Sequence, residues 1–212
     1  MSDVAEIVRL NDGLRVKDPA DEGPSPPLRP VIERAQAGDA AAFDQIIIVF
    51  QRKVVSTAWR MLGNQDDALD AAQEVFIKLH RYLHTFRLDQ DFSAWLYRLI
   101  VNACHDTRKR RPRHLSLEEE RERGTLEGLR SSDDVEAAAM VAEDETILAA
   151  ALKTLSEKER AALVLRDLEG LDTEEVAKIL GSSATTVRSQ ICSARAKIKV
   201  FRDRVMREGR RL

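Results

Sequence analysis

The residues best suited to chemistry on a ligand lie near the end of the chain, in LEGLDTEEVAKILGSSATTVRSQICSARAKI, Leu168 to Ile198. At about 100° per residue, Thr185, Arg188, Ser189, Cys192, Ala196 and Lys199 share one helical stripe, and Val187, Ile191, Ala194 and Ile198 share another roughly opposite it. Small side chains interleaved with cations are what a helix needs to enter a DNA major groove and meet base edges and phosphates. A surface helix pair in an all-α core is the plainer reading of such a pattern, and two local signals weigh against it. The preceding element opens with Asp172 and Glu175 in capping-box spacing, and it closes on Gly181, which tolerates the left-handed conformation of a tight turn. Ser182 or Ser183 then caps the next helix. The stretch predicts a helix-turn-helix that reads DNA.

Other chemistries find little support. There is no glycine-rich phosphate loop and no Ser-His-Asp or Cys-His set at useful spacing, so no catalytic residue is expected and the chain is not read as an enzyme. His80 and His84, four apart on a helix, with Cys104 and His105, make the best metal candidate. Surface histidines are the better reading, and neither a metal nor another cofactor is expected. Cys104 and Cys192 are the only cysteines and both fall on predicted helices, which argues against a disulfide framework and fits a reducing cytoplasm. The most apolar run, Ile46 to Phe50, is far too short to span a bilayer, and no signal peptide is visible. A soluble cytoplasmic protein without stable membrane insertion is the expectation.

The elements that must position these residues are helical throughout. No period-two apolar stretch and no internal repeat occurs, so the expected fold class is all-α: two small helical domains joined by an acidic flexible linker, the second ending in the helix-turn-helix. Residues 1–30 include DPADEGPSPPLRP and read as a disordered tail. The first domain, 31–112, holds a short helix ended by Gly38, a long one from Ala40 to Leu62, a third over about Asp66 to His84, and a fourth from about Ser93 to Arg110. In the third, Leu69, Ala72, Phe76, Leu79 and Leu83 form the expected core seam, leaving Asp67, Asp70, Gln73, Glu74 and Lys78 mostly outside it. In the fourth, Leu96, Leu99 and Ala103 face inward, and Arg98, Asn102, Asp106 and Lys109 face solvent. Residues 113–139 read as the linker, 140–205 as the second domain with Ser156 and Glu159 as a further capping box, and 206–212 as a basic tail.

Charge follows this division although the net charge is only -2. Arg98 to Arg113 carries six basic residues and one acid, and Ser182 to Leu212 nine basic residues and two acids, whereas His114 to Ile147 holds eleven acids and three arginines. Two basic patches with an acidic connector point to two contacts with polyanions and a spacer that avoids free nucleic acid.

The ordered set of DALDAAQEVFIKLHRYL, FSAWLYRLIVNACHDTRKRR, an acidic linker and the closing helix-turn-helix resembles bacterial sigma factors of the extracytoplasmic-function (ECF) group, from about Val31 to Phe201. The resemblance implies a factor that binds core RNA polymerase, directs it to promoters and assists melting. By position it places Asp67, Asp70, Gln73 and Glu74 on the coiled coil of the largest catalytic subunit. It makes the connector from Thr85 to Phe92 the loop that captures a flipped base of the minus-ten element, with Phe86 and Asn102 forming the pocket and Arg87, Leu88, Asp89 and Gln90 setting base choice. Six of the ten aromatic residues lie between Phe76 and Tyr97, and Arg98 with Arg108, Lys109 and Arg110 supplies the cations that accompany base stacking. Trp95 and Phe76 are expected in the core. For the minus-thirty-five element the matching positions are Arg188, Ser189, Cys192 and Ser193, with Thr185 and Arg195 nearby. The linker would thread the polymerase cleft, and an anti-sigma factor is the expected regulatory partner. The alternative reading is a stand-alone helix-turn-helix regulator binding duplex operator DNA.

Overall fold

The structure is a computed structural model and describes residues 28–110 and 147–209, which are helices and short turns without a strand. The chain divides into two compact units. The expected linker, residues 113–139, and residues 1–27 lie outside the described residues.

The first unit begins with α1, Leu28–Gln36. It starts before the expected boundary at residue 31, because Pro30 sits in a first turn whose N–H groups have no intrahelical partner in any case. Helix α2, Ala40–Leu62, is capped by Asp39, whose carboxylate accepts from the Ala42 N–H, and it ends on Gly63 at φ 72°. Two residues later α3, Gln65–Tyr82, opens with Asn64 accepting from the Asp67 N–H at 3.0 Å. A 3-10 turn, Leu83–Thr85, follows, and α4 runs over Phe92–Arg110.

The buried face of α3 differs from the expected seam. It consists of Ala68, Ala71, Ala72, Val75 and Leu79, with Leu83 beyond it, while Leu69 is 48% exposed and Phe76 is half-buried. Helix α3 packs against both α2 and α4. Two close neighbours favour small side chains on the covered face, so the alanines are taken inward and the larger Leu69 and Phe76 are displaced to the margin. On α4, Leu96, Ile100, Ala103 and Cys104 are buried, and burial pushes the Cys104 thiol up to about 12. Leu99, expected inside, is half-buried.

In the second unit, α5 is described over residues 147–153. Helix α6, Glu157–Leu163, opens with the Ser156–Glu159 capping box and continues through one π-helical segment, Val164–Leu168. Helix α7, Thr173–Leu180, has the Asp172–Glu175 box and ends on Gly181 at φ 59°, ψ 39°. The Ser183 hydroxyl accepts from the Thr186 N–H at 3.1 Å, so Ser183 rather than Ser182 caps α8, which runs over Ala184–Gly209 and thus into the expected basic tail. Val187, Ile191, Ala194 and Ile198 are buried on α8 against a core that includes Leu163, Val164, Leu165, Val176 and Ile179.

Candidate nucleic-acid interface

Opposite its buried stripe, α8 exposes Thr185, Arg188, Ser189, Cys192, Ala196 and Lys199. The Arg188 guanidinium lies 3.0 Å from the Glu174 carboxylate of α7, with the two side chains 60% and 64% exposed. Such a solvated pair holds Arg188 weakly and can be exchanged for a phosphate or a base edge.

Ser193, itself exposed, and the half-buried Arg195 flank this stripe and are bonded within the fold. The Ser193 hydroxyl donates to Glu159 Oε1 at 2.6 Å, and Lys197 Nζ lies 2.8 Å from Glu159 Oε2. Arg195 forks onto Asp167 with bonds of 2.7 and 2.9 Å, and the Asp167 side chain is only 8% exposed. Lys197, then Ser193 and the Ser156 N–H, hold the Glu159 carboxyl down at about 2, and the Asp167 carboxylate raises Arg195 above its ordinary value. The two flanks of α8 beside its exposed stripe are therefore tethered, Ser193 and Lys197 to Glu159 of α6 and Arg195 to Asp167 of the π-helical segment. Ser193 and Arg195, expected near the DNA, are thus both engaged within the fold. A two-sided helical wheel cannot show this, since the acids that claim them lie about 28 to 34 residues earlier. No local pattern marks Glu159 or Asp167 as a partner of α8, and the capping-box spacing is the one sequence signal at Glu159.

In the first unit, α4 exposes Arg98, Asn102, His105, Lys109 and Arg110. The first four follow each other at four-, three- and four-residue intervals, hence on one face. Arg108 is different: its guanidinium donates at 2.6 Å to the Met61 carbonyl, near the C-terminus of α2, where a cation complements unpaired carbonyls.

The connector into α4 is a tight turn. The Gln90 N–H donates to the Arg87 carbonyl at 3.0 Å, Arg87 and Asp89 form an exposed pair at 2.8 Å, and Asp91 accepts from the Ala94 N–H at 2.7 Å to cap α4. The hydrogen bond from Arg87 lowers the Asp89 carboxyl below its usual range. Arg87, Asp89 and Gln90 are exposed and Leu88 is half-buried. Phe86 is only 6% exposed. Its ring meets Phe92 at 5.3 Å and 90° and Trp95 at 5.2 Å, and Phe92 meets Phe50 at 5.3 Å. Phe86, expected to help form the pocket, is thus buried as the floor beneath the turn, whereas Trp95, expected in the core, is half-buried. Tilted and edge-on contacts of this kind stabilise such a cluster by about 0.5–1.5 kcal/mol per pair.

The third surface is on α3. Asp70 and Gln73 are exposed and Asp67 and Glu74 half-buried; Lys78 bridges Glu74 at 3.5 Å and Asp106 of α4 at 3.0 Å. Beside these polar groups Leu69 and Ile77 are each 48% exposed, and Gln73, Phe76, Ile77, His80 and Arg81 line a shallow hollow. Acids flanking exposed apolar side chains form a surface suited to a protein partner. Leu69 and Ile77 were missed as surface residues because the three-four template drew Leu69 into the core.

Among the described residues no cluster of three metal-ligating side chains occurs, and no helix is long and apolar enough to cross a membrane.

Residues 47–114 match the family described as Sigma-70 region 2, and residues 145–198 match Sigma-70, region 4. The RNA polymerase sigma-H factor of Pseudomonas aeruginosa is 35% identical over 185 residues, covering 84% of this chain and 95% of that protein. The ECF RNA polymerase sigma-E factor of Escherichia coli K12 is 35% identical over 177 residues, covering 79% and 90%. A solved structure of CnrH in complex with the cytosolic domain of CnrY matches with a TM-score of 0.59 at 26% identity, over 82% of this chain and 96% of that one. The sigma factor RpoE of Bartonella quintana, solved with the anti-sigma factor NepR, shares the fold with a TM-score of 0.60 at 21% identity, over 76% and 96%.

Proposed function

The chain belongs to the sigma-70 family of RNA polymerase sigma factors, in its extracytoplasmic-function group, and on that premise we propose how its surfaces divide the work of initiation. As a sigma factor it binds core RNA polymerase and directs it to promoter DNA. The acidic and apolar face of α3, with Asp67, Asp70, Gln73 and Glu74, takes the polymerase. The turn Arg87, Leu88, Asp89 and Gln90, with Arg98, Asn102, Lys109 and Arg110 of α4, takes the melted minus-ten strand: exposed polar side chains meet base edges, and the cations neutralise phosphates. Asn102 suits an unpaired base because its amide offers both a donor and an acceptor. Thr185, Arg188, Ser189 and Cys192 of α8 read the duplex minus-thirty-five element.

The observation that carries this reading is the coexistence, in one chain, of an exposed stripe of small and basic residues on α8 and an exposed acidic and apolar face on α3. A stand-alone operator binder has no use for the latter. The protein itself catalyses nothing, works in the cytoplasm, and is held in reserve by an anti-sigma partner, as the complex of the Bartonella quintana factor with NepR suggests by analogy. The test is transcription reconstituted with sigma-free core polymerase on genomic fragments. Specific start sites that appear only with the protein support the reading, and their absence removes it.

A further inference from the structure

The polar side chain that links α1 to the minus-ten turn is Gln36, the last residue of α1. Its amide nitrogen donates to the Leu83 carbonyl at 2.9 Å and to the Phe86 carbonyl at 2.7 Å, reaching 47 and 50 residues along the chain. An amide NH2 has two donors, and both are used here on carbonyls three residues apart. The Leu83 carbonyl also accepts from the Phe86 N–H at 3.0 Å. Phe86 is thus held by its N–H, its carbonyl and its ring, which packs on Phe92 and Trp95.

The consequence lies one peptide further on. The Phe86 carbonyl belongs to the peptide plane that carries the Arg87 nitrogen, so fixing that oxygen fixes the direction in which the turn leaves the 3-10 helix. At the other end the turn is fixed by the Asp91 cap of α4. Between these anchors Arg87, Asp89 and Gln90 are exposed. Gln36 is itself steadied, since α1 closes with the Arg34–Asp39 ion pair and Asp39 caps α2.

We propose that Gln36 is a positioning residue for base choice at the minus-ten element: it touches no base, and it holds the turn in the orientation from which Arg87, Asp89 and Gln90 discriminate. The inference rests on the reading above that this turn faces the melted strand. A preorganised turn loses less freedom on binding, and the correct base gains more than the wrong one because its contacts depend on orientation.

The experiment uses holoenzyme assembled from core polymerase and the full chain. Affinities are measured for single-stranded minus-ten oligonucleotides carrying each of the four bases at each position, and the readout is the ratio between favoured and disfavoured base. Gln36→Met keeps length and removes both donors; it is expected to lower the ratio roughly three- to tenfold, the range for one or two net hydrogen bonds. Gln36→Lys restores a donor at similar reach and is expected to recover most of the ratio. Core affinity and duplex minus-thirty-five binding are expected to stay unchanged in both. Gln90→Ala serves as the check on the turn. If Gln90→Ala shifts the ratio and Gln36→Met does not, the inference fails while the turn reading stands. If Gln36→Met weakens all bases equally with the ratio intact, the residue is structural only and the inference also fails. If neither variant nor Asp89→Ala moves the ratio, the turn reading itself fails. Should Gln36→Met not fold, Gln36→Glu carries the same test, because it faces two carbonyls with no donor.

Discussion

At the scale of single residues, the cations of α8 separate into those free to leave the protein and those committed to it. Arg188→Ala is expected to weaken binding of the minus-thirty-five duplex; if Arg188 meets a phosphate, the log-log salt slope falls by about 0.9, and if it meets a guanine, discrimination falls by about 1–3 kcal/mol. Arg195→Ala is expected to do neither at first order and instead to cost about 1–3 kcal/mol of stability, since Asp167 is left covered without its partner. Fluorescence titration of duplex DNA over a salt series, beside urea unfolding, separates the two. Glu159 gives a pH signature. Its carboxyl is held at about 2 against an ordinary 4.5, so the stability it supplies is complete above about pH 4.5 and is lost as pH falls towards 2. Glu159→Gln is expected to lower stability by about 1–3 kcal/mol at neutral pH and to flatten that acid limb, as measured by urea unfolding from pH 7 down to 2.5. Arg188 was legible in the sequence because exposure on one stripe follows from periodicity alone. The tethering of Ser193 and Arg195 was not, because it depends on which helix lies across from α8.

Helices are where the sequence spoke most clearly, and where it also misled. Both capping boxes, the Gly181 turn and the buried stripe of α8 follow from spacing, since each is a local rule satisfied within a few residues. A Cβ at Gly181 would meet nothing within 4 Å, so Gly181→Ala is expected to cost only the left-handed backbone penalty of about 1–2 kcal/mol, read as a lower urea midpoint with unchanged slope. The seam of α3 was misread by about one residue. Periodicity marks apolar side chains without saying which of two apolar stripes is covered, and here the alanines pack while Leu69 and Ile77 stay at the surface. That displacement sharpens the account of α3 as a docking helix. Asp70→Ala with Gln73→Ala is expected to weaken core polymerase binding about tenfold or more while leaving the melting temperature within a few degrees, measured by titration and thermal unfolding.

For the whole molecule, fold class was legible because neither a period-two run nor a repeat interrupts the helical pattern, and the charge segregation behind the two proposed polyanion contacts is hidden by a net charge of -2. Exposure within the proposed minus-ten site was less legible. Phe86 and Trp95 are both aromatic and near the same turn, and only the packing of Phe50, Phe92 and Phe86 decides which ring is floor. The central claim is that the chain reads promoters as a subunit of polymerase, with α3, the minus-ten turn and α8 acting together. Transcription from genomic fragments with sigma-free core polymerase, run beside duplex binding by the isolated protein, tests it most directly. The account predicts weak binding by the isolated protein and specific initiation once core enzyme is added. Tight, specific duplex binding by the protein alone, with no initiation from any fragment, would contradict it.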